Sequence, residues 1–142
     1  MSDLKDIILA IQDTVGAVTG IRVAPDYAPA KLPPGVSSIA LPSSGTFDED
    51  PSQVKKGLHD IRLFIMCPWG ESNKVLEFMI PFGDDVAYAL LNDRTLGSTV
   101  STFGKLSYVF GGINWATPPG MPADAIGFTF TISEIKQTEA LS

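Results

Sequence analysis

The chain has 142 residues, 44% of them hydrophobic, a formal net charge of −6 and a single cysteine. That length suits one domain over residues 1–142, large enough to bury a core without disulfide or metal, and the composition excludes whole-chain disorder. The acidic balance argues against tight phosphate binding, and one thiol excludes an internal disulfide or a multi-cysteine metal site.

The chain opens MSDLKDIILAIQD, with neither a basic leader nor a long apolar run. No stretch approaches the ~20 consecutive apolar residues of a membrane span, so a soluble protein of a reducing compartment is expected. Over residues 3–18, Leu4, Ile7, Ile8, Ile11, Val15 and Val18 recur at helical spacing on one face. Ser2 or Asp3 is the expected N-cap and Gly20 the expected stop. Leu9 falls off that stripe, either as a trivially exposed leucine or as a partner contact.

Ile21 to Ala24 reads as a short strand ended by Pro25, and Pro29, Pro33 and Pro34 keep the next segment irregular. Val36 to Leu41 reads as a strand closed by Pro42. Residues 43–56, SSGTFDEDPSQVKK, form a long loop or hairpin arm, with Phe47 ahead of Asp48, Glu49 and Asp50. Leu58 to Cys67, LHDIRLFIMC, alternates and then turns wholly apolar, the pattern of a central strand covered on both faces. A helix would cover one face, and another part of the chain or another copy of it the other.

Pro68-Trp69-Gly70 breaks the chain, and Ser72 is a candidate cap for the next helix. Val75, Leu76 and Met79 fit one helical face, and Val86, Ala87, Leu90 and Leu91 another. Pro81 and Gly83 between them predict a kink or two short helices, the second capped by Asp84. Thr102 to Phe110 reads as a strand with Leu106, Tyr108 and Phe110 on one face, followed by a turn or bulge at Gly111-Gly112. Thr117 to Pro122, TPPGMP, is irregular. Ala125 to Ile135 alternates most cleanly, with Ile126, Phe128, Phe130 and Ile132 on one side, and a frayed tail is expected from residue 136. The order predicts an α+β fold: a mostly antiparallel sheet, with the N-terminal helix and a kinked second helix packed on one face and a long hairpin arm.

Reactive chemistry is sparse. His59 and Asp60 are neighbours on a strand and point to opposite faces, so a surface or edge histidine is expected in place of a catalytic pair. Cys67 reads as a buried structural thiol. Asp48, Glu49 and Asp50 lack the ligand pattern of a calcium loop and read as a solvated acidic tip. Gly111-Gly112 precedes no phosphate-binding helix. Trp69 and Trp115, beside proline and glycine loops, are candidates for a protein interface.

The sequence of elements has a further property. The amphipathic helix leads through GIRV to a strand and a long polar hairpin. HDIRLFIMCPWG, a helix ending ALLND, TLGSTVS, FGKLSYVFGGINW and IGFTFTISE follow. Over nearly the whole chain this layout resembles the tail-terminator (tail-completion) proteins of long-tailed bacteriophages, although TPPGMP is longer than the family pattern. The resemblance implies a structural virion protein without enzymatic activity or cofactor. Its subunits would close into a ring, usually of six, at the head-proximal end of the tail tube, stopping tube polymerisation and joining tail to neck. Implied partners are further copies of the chain, the tail-tube protein and the neck or head-completion protein. DNA would pass through the lumen without specific binding, in a virion assembled in the host bacterial cytoplasm. Leu9, Phe47, Trp69 and Trp115 are then the interface candidates, and Asp48, Glu49 and Asp50 the lumen-lining candidates. Alternatives are a neck or tail-tube component and, more distantly, a small-ligand-binding module, with the sheet and kinked helix forming a pocket, or a small hydrolase using His59.

Overall fold

The computed structural model describes residues 4–22, 24, 31, 35–49, 54–69, 74–93, 96 and 103–140. They form α1 (Leu4–Gly16), β1 (Ser37–Glu49), β2 (Val54–Pro68), α2 (Lys74–Met79), α3 (Pro81–Asn92), β3 (Lys105–Ile113) and β4 (Ala125–Ala140). The four strands pair antiparallel in the order β1-β2-β4-β3, so β2 is central as its sequence indicates. The fold is α+β, with a bent helical pair and an antiparallel sheet.

In α1 the stripe Ile7, Ile8, Ile11 and Val15 is buried against the sheet. Fully burying each such side chain stabilises the fold by about 1.5–3 kcal/mol. The helix ends at Gly16, earlier than the expected 18, and Val18 belongs to the turn beyond it. Gly20, with φ +98°, lies in that turn and does not itself stop the helix. Buried Gln12 fixes α1 to β1: its Nε2 donates to the Ser38 carbonyl at 2.7 Å, and Ser38 Oγ donates to Gln12 Oε1 at 3.0 Å. A buried amide satisfied on both of its atoms sets position along the helix, which apolar contacts alone leave loose.

Ile21, Arg22 and Ala24 form no strand; Arg22 N–H makes a backbone bond to the Val36 carbonyl at 2.9 Å. β1 does not close at Pro42. It continues to Glu49, because Pro42 sits on an outer strand beside a bulge, where a missing N–H is tolerated. Residues 43–56 are therefore largely strand: β1 and β2 extend together into a hairpin arm. The expected frayed tail is strand as well, since Lys136 to Ala140 pairs with Leu58 to Val54 as the arm's third strand.

Both neighbours of β2 gain a residue at one level. On β1, Pro42 faces Ile61 and Ser44 faces Asp60, leaving Ser43 extra. On β4, Ile132 faces Ile61 and Ile135 faces His59, so Ser133 and Glu134 together oppose Asp60. Glu134 adopts φ 59°, and its N–H donates to Asp60 Oδ1 at 3.1 Å.

Pro81 splits the second helical region into α2 and α3, as expected, but α3 starts at Pro81 itself, where the missing N–H costs no helical bond. Asp84 lies in its first turn and does not cap it. Met79, Phe82, Val86 and Leu90 are buried; Leu76 and Leu91, expected on the same faces, are exposed. β3 runs to Ile113 through Gly111-Gly112, where a turn or bulge was expected.

β2 is covered on both faces. Ile61, Leu63, Ile65 and Cys67 pack under the helices. Met66 joins Ile39, Ile113 and Ala125 in a smaller cluster on the other face, with Phe64 and Trp115 against it. That second cover is part of the same chain. The two central strands approach closely at Gly127, where an added Cβ would meet the Ile65 carbonyl oxygen and sit 2.8 Å from Met66 Cα. Those are backbone atoms that cannot rotate away. Gly127→Ala is accordingly expected to lower stability by about 1–3 kcal/mol, read as the shift in denaturation midpoint; an unchanged midpoint would mean β2 and β4 are not packed this tightly.

Candidate functional site

At its α3 edge the helical layer overhangs the sheet. α3 runs beside β3, the outermost strand, and between them lies an open groove of about 770 Å³. Ile80, Ala87 and Leu91 line it from the helices, Leu106 and Tyr108 from β3, and Phe128 and Phe130 form its floor. The Tyr108 ring meets Phe128 edge-on with centroids 5.4 Å apart, and is still 63% exposed. Ile80 is 59% exposed, and Leu76, Phe78 and Tyr88 extend the exposed apolar surface over the outer helices. On the opposite face of β3, Val109 is 73% exposed. Exposed apolar side chains gathered around one groove mark a contact site more often than a solvated wall. Asp84 and Lys105 are the charged residues on its rim.

The sequence-selected residues fall at two other places. Trp69 and Trp115 meet at Asp124: the Trp69 N–H donates to the Asp124 carbonyl at 3.0 Å, and the Trp115 N–H to its Oδ1 at 2.7 Å. Their rings diverge. Trp69 lies against Gly112 and is half exposed, whereas Trp115 is half-buried edge-on to Phe64, with centroids 5.5 Å apart. The segment between them is irregular but not loose. Asn114 Nδ2 donates to Thr117 Oγ1 at 2.8 Å and to the Met121 carbonyl at 3.0 Å, and Asp124 Oδ2 accepts the Ala116 N–H at 2.8 Å. Partial burial opposes ionisation of Asp124, but the Ala116 and Trp115 amides outweigh it and hold the carboxyl below the usual aspartate range.

Phe47 and the acidic residues sit at the far end of the sheet, on the arm. The Phe47 ring packs edge-on to His59 with centroids 4.8 Å apart and is 56% exposed. His59 is buried, not at the surface as expected, because the bulge at Ser43 brings Gly45 and Phe47 over it. Asp60, on the opposite face, accepts the Glu134 N–H, so the two make no catalytic pair. Asp48 and Glu49 belong to the β1 strand and not to a loop, and the backbone register sets them opposite Lys56 and Lys55. Asp50, Ser2, Asp3, Ser72 and Thr102 lie outside the described residues. Leu9 is half-buried on α1. Cys67 is buried, and burial raises its thiol pKa.

The sequence offered a pocket between the sheet and the kinked helix only as a distant alternative, and its lining residues were not singled out. Tyr108 alternates with Leu106 and Phe110 as a core residue would, and only the strand order reveals that its strand is outermost. Among the described residues no cluster of three His, Cys, Asp or Glu is placed to hold a metal, and no helix is long and apolar enough to cross a membrane. No protein-family model matches this chain, and no curated protein matches it.

Two outcomes follow for these residues. Asp124→Asn weakens two charge-assisted hydrogen bonds and is expected to cost about 1–2 kcal/mol at neutral pH. Because the native pKa is lowered, this contribution is complete above the ordinary aspartate pKa and disappears as pH falls through the native one. Melting curves of the two proteins should therefore converge in acid; a constant gap at every pH would contradict the assignment. Cys67, buried with a raised pKa, should resist alkylation in the native protein and react on unfolding, as mass spectrometry of iodoacetamide-treated samples would record.

Proposed function

We propose that this chain is the ring-forming subunit of a phage tail terminator, assembling with copies of itself at the head-proximal end of a tail tube. The observation that carries the reading is the apolar surface running from α2 and α3 across the groove to β3. A monomer would leave Ile80, Tyr108 and Leu91 in water, and a ring contact would cover them. The order of elements, with its N-terminal helix, long arm and bent second helix, supports the same reading through its likeness to that family. The polar groups with the most chemistry are engaged in holding the fold: Asp60 on Glu134, and Asp124 on Trp115 and Ala116. In this reading the tube and neck proteins meet the two flat sides of the ring, and DNA crosses its centre.

The test is the particle itself. Sedimentation and negative-stain images of the purified protein should give a closed ring of about six copies of the 15.2 kDa chain. Mixed with tail tubes, the ring should cap one end and halt elongation. A strictly monomeric species at assembly concentrations would refute the reading.

A second reading is favoured by the groove's size. At about 770 Å³ it falls within the range of small-molecule sites, about 300–1,000 Å³. A monomer whose melting temperature rises with added decanoate, and does not rise in Tyr108→Glu, would favour ligand binding over assembly.

A further inference from the structure

Each end of the sheet lacks what the other supplies. At the groove, α3 runs beside β3, and among the described residues no strand pairs with the outer side of β3. On the arm, strands extend past α1, which reaches this end only through Leu4. The two outer strands also differ in protection. Ser37, Ser38, Ile39 and Ala40 of β1 are buried, and farther along β1 carries Pro42 and the bulge. β3 pairs with β4 over nine residues without a bulge or proline, and bears lysine only at its first position. A flat, apolar, unguarded edge of this kind is a template for another strand.

We propose that the arm half of β1 in a second copy adds to β3 as a fifth strand, laying Phe47 into the groove. The proposal rests on the ring reading above and names its subunit contact. Strand direction alternates along β1-β2-β4-β3, so a following β1 continues the sheet antiparallel to β3. One register matches residue to residue. Asp48 stands opposite Lys105, Phe47 opposite Leu106, Thr46 opposite Ser107 and Gly45 opposite Tyr108. Opposite charges meet at the rim, two hydroxyl residues pair, and the exposed tyrosine faces a residue with no side chain.

The faces agree as well. Phe47 and Gly45 share the face of His59, and Leu106 and Tyr108 share the face of Phe128 and Phe130. In a continuous sheet Phe47 therefore arrives under α3 and not on the far side. The contact is heterologous, arm to groove, so every copy keeps one of each for its neighbours, as a closed ring requires. Asp48 is thereby assigned to the seam between subunits and not to the lumen.

Cysteines at the opposed positions test this in the full chain. In antiparallel neighbours Cα atoms lie about 4.5–5.5 Å apart, within disulfide reach. Thr46→Cys/Ser107→Cys, oxidised with copper-phenanthroline, should give a disulfide ladder ending at the size of the ring. Thr46→Cys and Ser107→Cys alone should give none, native Cys67 being buried. Independently, Lys105→Asp should abolish the ring while leaving the melting curve of the subunit in place, and Asp48→Lys added to it should restore the ring. A wild-type ring that persists in Lys105→Asp and shows no ladder in the double-cysteine protein overturns this contact and leaves the ring reading standing. A wild-type protein that never forms a ring overturns that reading first, and this contact with it.

Discussion

Asp60 stands where both strands beside β2 gain one residue, and the rest of the sheet depends on those two insertions. Side chains on a strand alternate, so a shift of one residue exchanges the buried and exposed faces. On β4 the helix-facing residues are Ile126, Phe128, Phe130 and Ile132; strict alternation would bring Glu134 next, and the inserted residue passes the position to Ile135, which is buried. On β1 the extra Ser43 moves the face from Ala40 to Gly45 and Phe47. β2 keeps its own alternation throughout, with His59, Ile61, Leu63 and Ile65 all under cover. The left-handed backbone at Glu134 is unfavourable for a side-chain-bearing residue, and the Asp60 carboxylate that accepts its N–H offsets part of that cost. Paired bulges also tighten the local twist, which separates the arm from the helix-covered body of the sheet.

The same arrangement explains where apolar surface is left over. α1 is fixed on the β1 side by Gln12 and Ser38, and from β3 the core takes Leu106, Phe110 and Ile113. β3 is then free to carry Tyr108 and Val109 in water. Tyr108 has settled on the Phe128 and Phe130 rings, an aromatic group that shields the floor without filling the groove above it. The imbalance between a sealed β1 body edge and an open β3 edge gives the molecule a direction.

What could be read from the sequence follows the strength of the period. α1 and the body of β4 were plain because one stripe of each is apolar and the other side polar. The split at Pro81 was plain because proline has one effect inside a helix. Pro42 misled because its effect depends on whether a strand is central or outer, and that is a property of the sheet. Lys136 to Ala140 looked unstructured because KQTEA carries no apolar alternation, yet its backbone pairs with β2. His59 was misplaced because the bulge that buries it lies on another strand. The β3 wall of the groove was illegible for the same reason: a stripe of Leu106, Tyr108 and Phe110 means core on an inner strand and contact surface on an outer one.

The residues that usually carry chemistry here carry structure. Cys67 fills the core, His59 lies beneath Phe47, Asp60 holds a bulge, and Asp124 ties an irregular segment to both tryptophans. In the function proposed above the surfaces do the work, and they are directional: an arm at one end, an apolar groove at the other. Two unlike patches on one subunit cannot satisfy each other in a twofold dimer that uses only one of them. They can in a closed ring, where each copy gives its arm to one neighbour and its groove to the other. Such a ring does not need a large interface, because every subunit is held on both sides and leaving means breaking two contacts at once. An open chain of the same contacts would leave one arm and one groove in water, so closure is favoured over continued growth wherever the angle between subunits allows it.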